Sequence, residues 1–311
     1  MSQNPSSQKV KIYTFSAIAL IAIAIVLRIV NFLCIYDPMI DYFSEHPLHT
    51  AYRTLCLLSV VWLLSMLIFI PRHAFSLKAT PTSGVFSRSM GLFCGCASAA
   101  SFFFFRNCMT YYVAHAKLYQ MLSLFCLLSA AYFLLHFSDK ITAPARALCG
   151  YLTLLWLGLI LSVTYLNLYV PMNSPFKVTL HVALIAMMLH VLEDARRHAG
   201  RSFRIHYYAF TLIAILCTGV ASFPVLLAYF LNLYPDVDYL FYAVLMLGLF
   251  LYLCARALDC YRMLMLTPPA SPEEIAEEEQ KRAEKKKKAS KKEKNSSDST
   301  EKEKGDNTHV S

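Results

Sequence analysis

Apolar positions in this chain gather into long runs, and polar, charged, Pro and Gly residues gather between them. Eight runs stand out, at 12–35, 52–71, 88–105, 113–137, 147–170, 177–195, 206–233 and 239–257. A helix needs about 20 mostly apolar residues to cross a bilayer, because its backbone must satisfy its own hydrogen bonds in hydrocarbon. The pattern therefore predicts an all-α bundle of about eight membrane-spanning helices. The third and sixth runs are short and the seventh is long, so their ends are the least sharply marked. The first run follows Lys9 and Lys11 but is too long for a signal-peptide core, and no small-residue cleavage site follows it. It reads as a retained first span.

Composition sharpens this picture. Hydrophobic residues make up 57% of the 311 and charged residues only 16%, where a soluble domain carries about a quarter charged. Residues 266–311 hold 11 Lys/Arg and 11 Asp/Glu, so the whole formal charge of +9 sits on the apolar body. Three segments follow: a short N-terminus (1–11), a helical membrane domain (12–265) and a charged tail (266–311). With the N-terminus inside, thirteen Lys/Arg fall in cytoplasmic segments before the tail, and four (Arg53, Arg106, Lys117, Lys177) fall on the outer side. This positive-inside asymmetry favours both ends in the cytoplasm. Outward-running spans close with Tyr and Pro, at Tyr36-Asp37-Pro38, Tyr169-Val170-Pro171 and Tyr234-Pro235-Asp236. Tyr suits the interface and Pro stops a helix.

The tail opens with Ser271-Pro272-Glu273-Glu274, a good helix start with acids in its first turn. Glu277/Lys281, Glu278/Arg282 and Glu284/Lys288 are i,i+4 pairs of favourable order. A helix is expected to about residue 292, followed by disorder. Lys285, Lys286, Lys287, Lys288, Lys291 and Lys292 form a basic cluster able to meet anionic lipid headgroups. The acidic block before it opposes close approach, which leaves a solubilising or orienting tail as the plainer reading. No aromatics are interleaved, so no nucleic-acid partner is expected.

Few polar groups fall inside the apolar runs. Arg28 lies about two turns from the outer end of the first span, with Asn31 three residues on along the same face. A charge in hydrocarbon is costly and is a candidate for function; snorkelling or pairing with an outer acid is its structural alternative. His181 and Lys177 lie toward the outer end of the sixth span, and Arg106, His115, Lys117 and Asn173 share that layer. Together they make a basic outer layer suited to an anionic solute or lipid headgroup. At the inner end of the sixth span, His190, Glu193, Asp194, Arg197 and His198 form i,i+4 pairs. A self-paired helix end fits them better than a metal or proton site, since Arg196 and Arg197 repel cations.

Gly91, Gly95 and Ala99 place small residues every fourth position in the third span, a pattern that permits close helix contact. Gly219 and Pro224 should kink or locally unwind the seventh. These are the third helices of two four-helix halves, and interrupted helices at matching places are a pointer to a transporter site. The only shared text is Gly95-Cys96-Ala97-Ser98 against Gly219-Val220-Ala221-Ser222.

The ten cysteines show no metal-type spacing and lie mostly in spans, where Cys acts as a small apolar residue. Cys34 and Cys108, both near the outer surface, are the one pair able to bridge. No hydrolase, nucleotide-binding or dinucleotide motif occurs, so no cofactor or metal is expected and an enzyme is the least favoured class. The absence of a glycosylation sequon in the outer loops points to a prokaryotic plasma membrane. Two functions remain. One is a transporter or solute/lipid-binding protein with a polar site in the outer half. The other is a non-catalytic sensor or assembly scaffold with a protein- or lipid-binding tail, for which no solute-sized cavity is expected.

Overall fold

The computed structural model describes residues 5–37, 42–43, 46–71, 84–135, 141–167, 174–199, 204–233 and 237–266. The charged tail, with Lys285 to Lys288, Lys291 and Lys292, lies outside them, as do Asn173 and the Pro residues of the three Tyr/Pro span ends. Among the described residues eight α-helices carry the fold: α1 (Pro5–Cys34), α2 (Pro47–Phe69), α3 (Val85–Tyr111), α4 (Ala116–Leu135), α5 (Ala143–Leu166), α6 (Pro175–His198), α7 (Arg204–Phe230) and α8 (Val237–Leu266). Each is long and apolar enough to cross a membrane, α4 together with the 3₁₀ turn Val113–His115 before it. The chain is an all-α, multi-pass integral membrane protein.

Several helices outrun the apolar stretches that announce them. α2 begins at Pro47, where His46 acts as N-cap and its Nδ1 accepts from the Leu48 amide at 3.2 Å. α1 starts at Pro5, and α8 continues to Leu266. Hydrophobicity marks only the part of a helix that must sit in hydrocarbon; backbone geometry carries it on through the headgroup layer. Between α1 and α2, Tyr36–Asp37 (β1) and Tyr42–Phe43 (β2) pair antiparallel, with Tyr36 opposite Phe43. No alternation of polar and apolar residues in the sequence marks this hairpin.

Helices α3 to α8 pack in chain order, and α8 returns against α3 to close a six-helix ring. α1 and α2 pack on each other and on α7. α7 is therefore the hub: 72% of its most apolar stretch is buried, against 22% for α2. Its sequence suits the place, being apolar around its whole circumference. Gly219 keeps it thin where α1 and α8 converge. A Cβ there would stand 3.0 Å from Phe250 Cε2 and 3.1 Å from Ile25 Cδ1. Gly219→Leu should therefore cost about 1–3 kcal/mol by overpacking, read as unfolding in mild detergent. Gly158→Leu, where an added Cβ would meet nothing nearer than Met188 Cε at 3.9 Å, should be close to neutral.

The two small-residue stretches occupy different environments. Gly95 faces α4, where an added Cβ would meet Leu134 at 2.8 Å. Ser98 donates to the Cys126 carbonyl at 3.2 Å and shares a hydrogen bond with Ser129. Gly91 is buried on the same helix. The third span thus uses its small residues to close on α4, whereas the seventh uses Gly219 at the hub. Pro224 removes one helical hydrogen bond, yet α7 runs unbroken through it as α-helix, so no local unwinding occurs there. All ten cysteines are free, Cys34 and Cys108 included.

The chain-terminal end of the bundle is tied by polar groups. Lys9 Nζ donates to the Phe69 carbonyl at 3.1 Å, at the end of α2. The Gly84 amide, at the start of α3, donates to Asp259 Oδ2 of α8 at 3.0 Å. Hydrogen bonds to free helix-end groups satisfy backbone atoms that no helix can satisfy by itself.

Candidate functional site

Arg28 is only 2% exposed. It reaches from α1 beneath the hairpin, and three rings surround its guanidinium. The Cζ atom lies 4.5 Å from the Phe43 centroid, 5.0 Å from Tyr52 and 5.1 Å from Phe32. Its Nη2 donates to the Pro175 carbonyl at the start of α6, 3.1 Å away. Contacts of a cation with aromatic faces are worth about 0.5–2 kcal/mol each, most when desolvated. They offset part of the cost of a buried charge. The hairpin has a definite role here: pairing of Tyr36 with Phe43 sets Phe43 over Arg28, and Phe43 packs on Phe32 with ring centroids 5.1 Å apart.

Arg28 lines a cavity of about 360 Å³ bounded by α1, α2, α6, α7 and the hairpin. Its charged groups among the described residues are Arg28 and Arg53, with the His49 imidazole beside them. The start of α6 adds the positive end of a helix dipole on the Pro175 side. The rest of the wall is apolar: Leu57 and Val60 from α2, Val178 and Val182 from α6, and Leu216, Cys217 and Val220 from α7. The geometry combines a positive, aromatic-lined head with an apolar body.

The other sequence candidates lie elsewhere. Asn31 is fully buried, does not line the cavity, and its side-chain amide makes no hydrogen bond among the described residues. Lys177, though buried, turns from Arg28 toward α5, where its Nζ donates to the Asn167 carbonyl at 2.9 Å. His181 follows it, with Nε2 3.1 Å from Thr164 Oγ1. Lys177 also borders a small crevice with Asp238 and Tyr242 of α8. Arg106 is exposed on α3 and His115 is half-buried in the turn before α4. The basic outer layer is thus divided. Arg28 has Arg53 and His49 for neighbours, and neither was singled out as a site residue in the sequence. Their signal was position: both lie in the first two turns of α2, on one face with Tyr52 and Cys56 at i, i+3, i+4 and i+7 spacing.

A second polar cluster lies toward the opposite ends of these helices. Asp194 of α6 is fully buried. Its carboxylate accepts from Arg197 Nη2 at 2.7 Å and from the Tyr132 hydroxyl of α4 at 3.0 Å. Arg256 Nη2 of α8 lies 3.7 Å away and His198 Nε2 3.6 Å away. Arg256 Nε donates to the Tyr207 hydroxyl of α7 at 3.1 Å, and Arg197 stacks over the Tyr207 ring at 4.4 Å. Close by, His190 Nδ1 shares a hydrogen bond with Thr211 Oγ1 at 3.0 Å. The sequence pattern suggested a helix end paired within itself at i,i+4. Of the expected i,i+4 pairs, Asp194–His198 forms at 3.6 Å, while the closer ion pairs are i,i+3, Glu193–Arg196 and Asp194–Arg197. Asp194 joins α6 to α4 and α8, and Tyr207 of α7 enters through Arg256. Arg256 and the two tyrosines were missed because each is ordinary in its own span; only packing brings them together.

No protein-family model matches the chain, and neither a curated protein nor a solved structure does. The site is therefore read from its own chemistry. Eight helices long and apolar enough to cross a bilayer define an integral membrane protein.

Proposed function

We propose that the protein is a solute- or lipid-binding membrane protein of transporter type, whose ligand is an anion held at Arg28. The observation that supports this most is the cavity itself: about 360 Å³, headed by the guanidinium groups of Arg28 and Arg53 and continued by an apolar wall. Ligand pockets of small molecules start near this size. A pure assembly scaffold needs no such volume. The charge asymmetry of the loops supports an orientation with the N-terminus inside, which sets the Arg28 cavity in the outer half of the membrane.

Arg28→Gln keeps a long polar side chain and removes the charge. Hydrogen bonds to charged groups contribute about 1.5–3 kcal/mol, so bound anion should fall roughly 10- to 100-fold. Mass spectrometry of material co-purifying in mild detergent measures it. Arg53→Gln, at an exposed position, should cost only a few-fold. A protein partner retained equally by wild type and Arg28→Gln, with no anion bound to either, would favour the scaffold.

A further inference from the structure

We infer that the ligand is an amphiphile, an anionic headgroup on a hydrocarbon chain, taken sideways from the bilayer through a cleft between α2 and α6. This rests on the anion-binding reading of the Arg28 cavity and adds the class of ligand and its route.

The first ground is a polarity gradient along the cavity. α2 and α6 both start at the hairpin end. On α2 the lining residues run His49, Tyr52 and Arg53, then Cys56, Leu57 and Val60. On α6 they run Pro175, then Val178, Thr179 and Val182. α7 runs the other way and supplies Val220, Cys217 and Leu216. Every charged group thus lies at one end; Thr179, one turn into α6, turns its hydroxyl back to the Pro175 carbonyl, and a nearly apolar channel leads away. Along α2 the lining spans about 16 Å at 1.5 Å per residue. That is more than a small soluble anion occupies, and the far part offers such an anion nothing but apolar wall.

The second ground is where the wall opens. Leu57 is 66% exposed, Val182 50% and Val178 47%. These residues line the cavity and also face outward from the bundle. α2 and α6 each pack on α7, which floors the cleft between them. In a membrane those exposed faces meet acyl chains, so a lipid chain can lie in the channel without leaving hydrocarbon, while its headgroup reaches Arg28. Transfer of a buried CH₂ out of water is the usual driving force for binding apolar chains; here the chain stays in oil, and selectivity must come from the headgroup end.

The headgroup chemistry shared by a phospholipid and a soluble phosphate ester is the phosphate, so the test separates these two sources. The full chain, in mild detergent, is offered dioleoyl phosphatidic acid and dioleoyl phosphatidylcholine in equal amounts, and retained lipid is counted by native mass spectrometry. Binding of radiolabelled glycerol 3-phosphate is measured in parallel. Three proteins are compared: wild type, Arg28→Gln, and Val182→Trp, which fills the apolar channel from an exposed position and removes no core packing. Wild type should retain phosphatidic acid about tenfold over phosphatidylcholine, and both variants should lose about tenfold of that. Glycerol 3-phosphate should neither bind nor displace the lipid.

If glycerol 3-phosphate binds wild type and Val182→Trp alike and depends on Arg28, the ligand is a soluble anion; the anion site stands and the amphiphile is wrong. Retention of phosphatidic acid by Val182→Trp at the wild-type level likewise overturns the channel. If all three proteins hold the same lipid and no glycerol phosphate, both the channel and the anion site fall.

Discussion

Asp194→Ala should cost about 3–5 kcal/mol of stability, the largest loss expected from any single charge in the molecule. The carboxylate is fully buried and faces Arg197 at 2.7 Å and Arg256 at 3.7 Å, with the Tyr132 hydroxyl at 3.0 Å. Its removal leaves two guanidinium groups at 14% and 7% side-chain exposure to repel each other inside the bundle. Two comparisons show whether burial is the cause. Arg196→Ala breaks the neighbouring pair with Glu193, but Arg196 is half exposed and the loss should stay under about 1 kcal/mol. Arg256→Met made together with Asp194→Ala removes one stranded charge, so the double variant should lose less than the two single losses combined, by roughly 0.5–3 kcal/mol. Denaturant unfolding in detergent gives all four values. A loss at Asp194→Ala no greater than at Arg196→Ala would show that water reaches the cluster.

What the sequence made legible divides along a physical line. Eight spans could be read because hydrocarbon imposes its demand locally, on each run of about 20 residues, before any helix meets another. Arg28 could be read for the same reason: a charge between Leu27 and Ile29 conflicts with its own surroundings. What the charge faces could not be read. Phe43 reaches it through a hairpin whose two strands are two residues each, too short to show any alternation. Pro175 reaches it from a helix 147 positions away. Lys177 and His181 share a helix with Pro175 and Val178 but lie on another face, and one-dimensional layering by depth cannot tell faces apart. The same limit hid Arg256. It sits in a span end where a basic residue is ordinary, and its partner Asp194 belongs to a different helix.

The stability of the six-helix ring and the binding of a ligand outside it should separate cleanly, and Trp156→Ala is the change that shows it. Trp156 is fully buried on α5, and its Nε1 donates to Cys126 Sγ of α4 at 3.2 Å. With Phe133 it forms the inner wall of an apolar crevice of about 340 Å³ between α3 and α8. Deleting the indole joins its volume to that crevice, and neighbours already held by ring contacts have little room to collapse. The expected cost is about 3–5 kcal/mol, a fall in Tm of roughly 10 °C. The Arg28 cavity lies across α6 and α7 from this crevice and shares no lining residue with it. Below the lowered Tm, retention of phosphatidic acid should therefore equal that of wild type. Val182→Trp should give the reverse pattern, with Tm unchanged and retention lost. If Trp156→Ala abolished retention at temperatures where the protein stays folded, the two cavities would be coupled through α6 and α7. The ring would then have to be regarded as part of the binding site instead of its support.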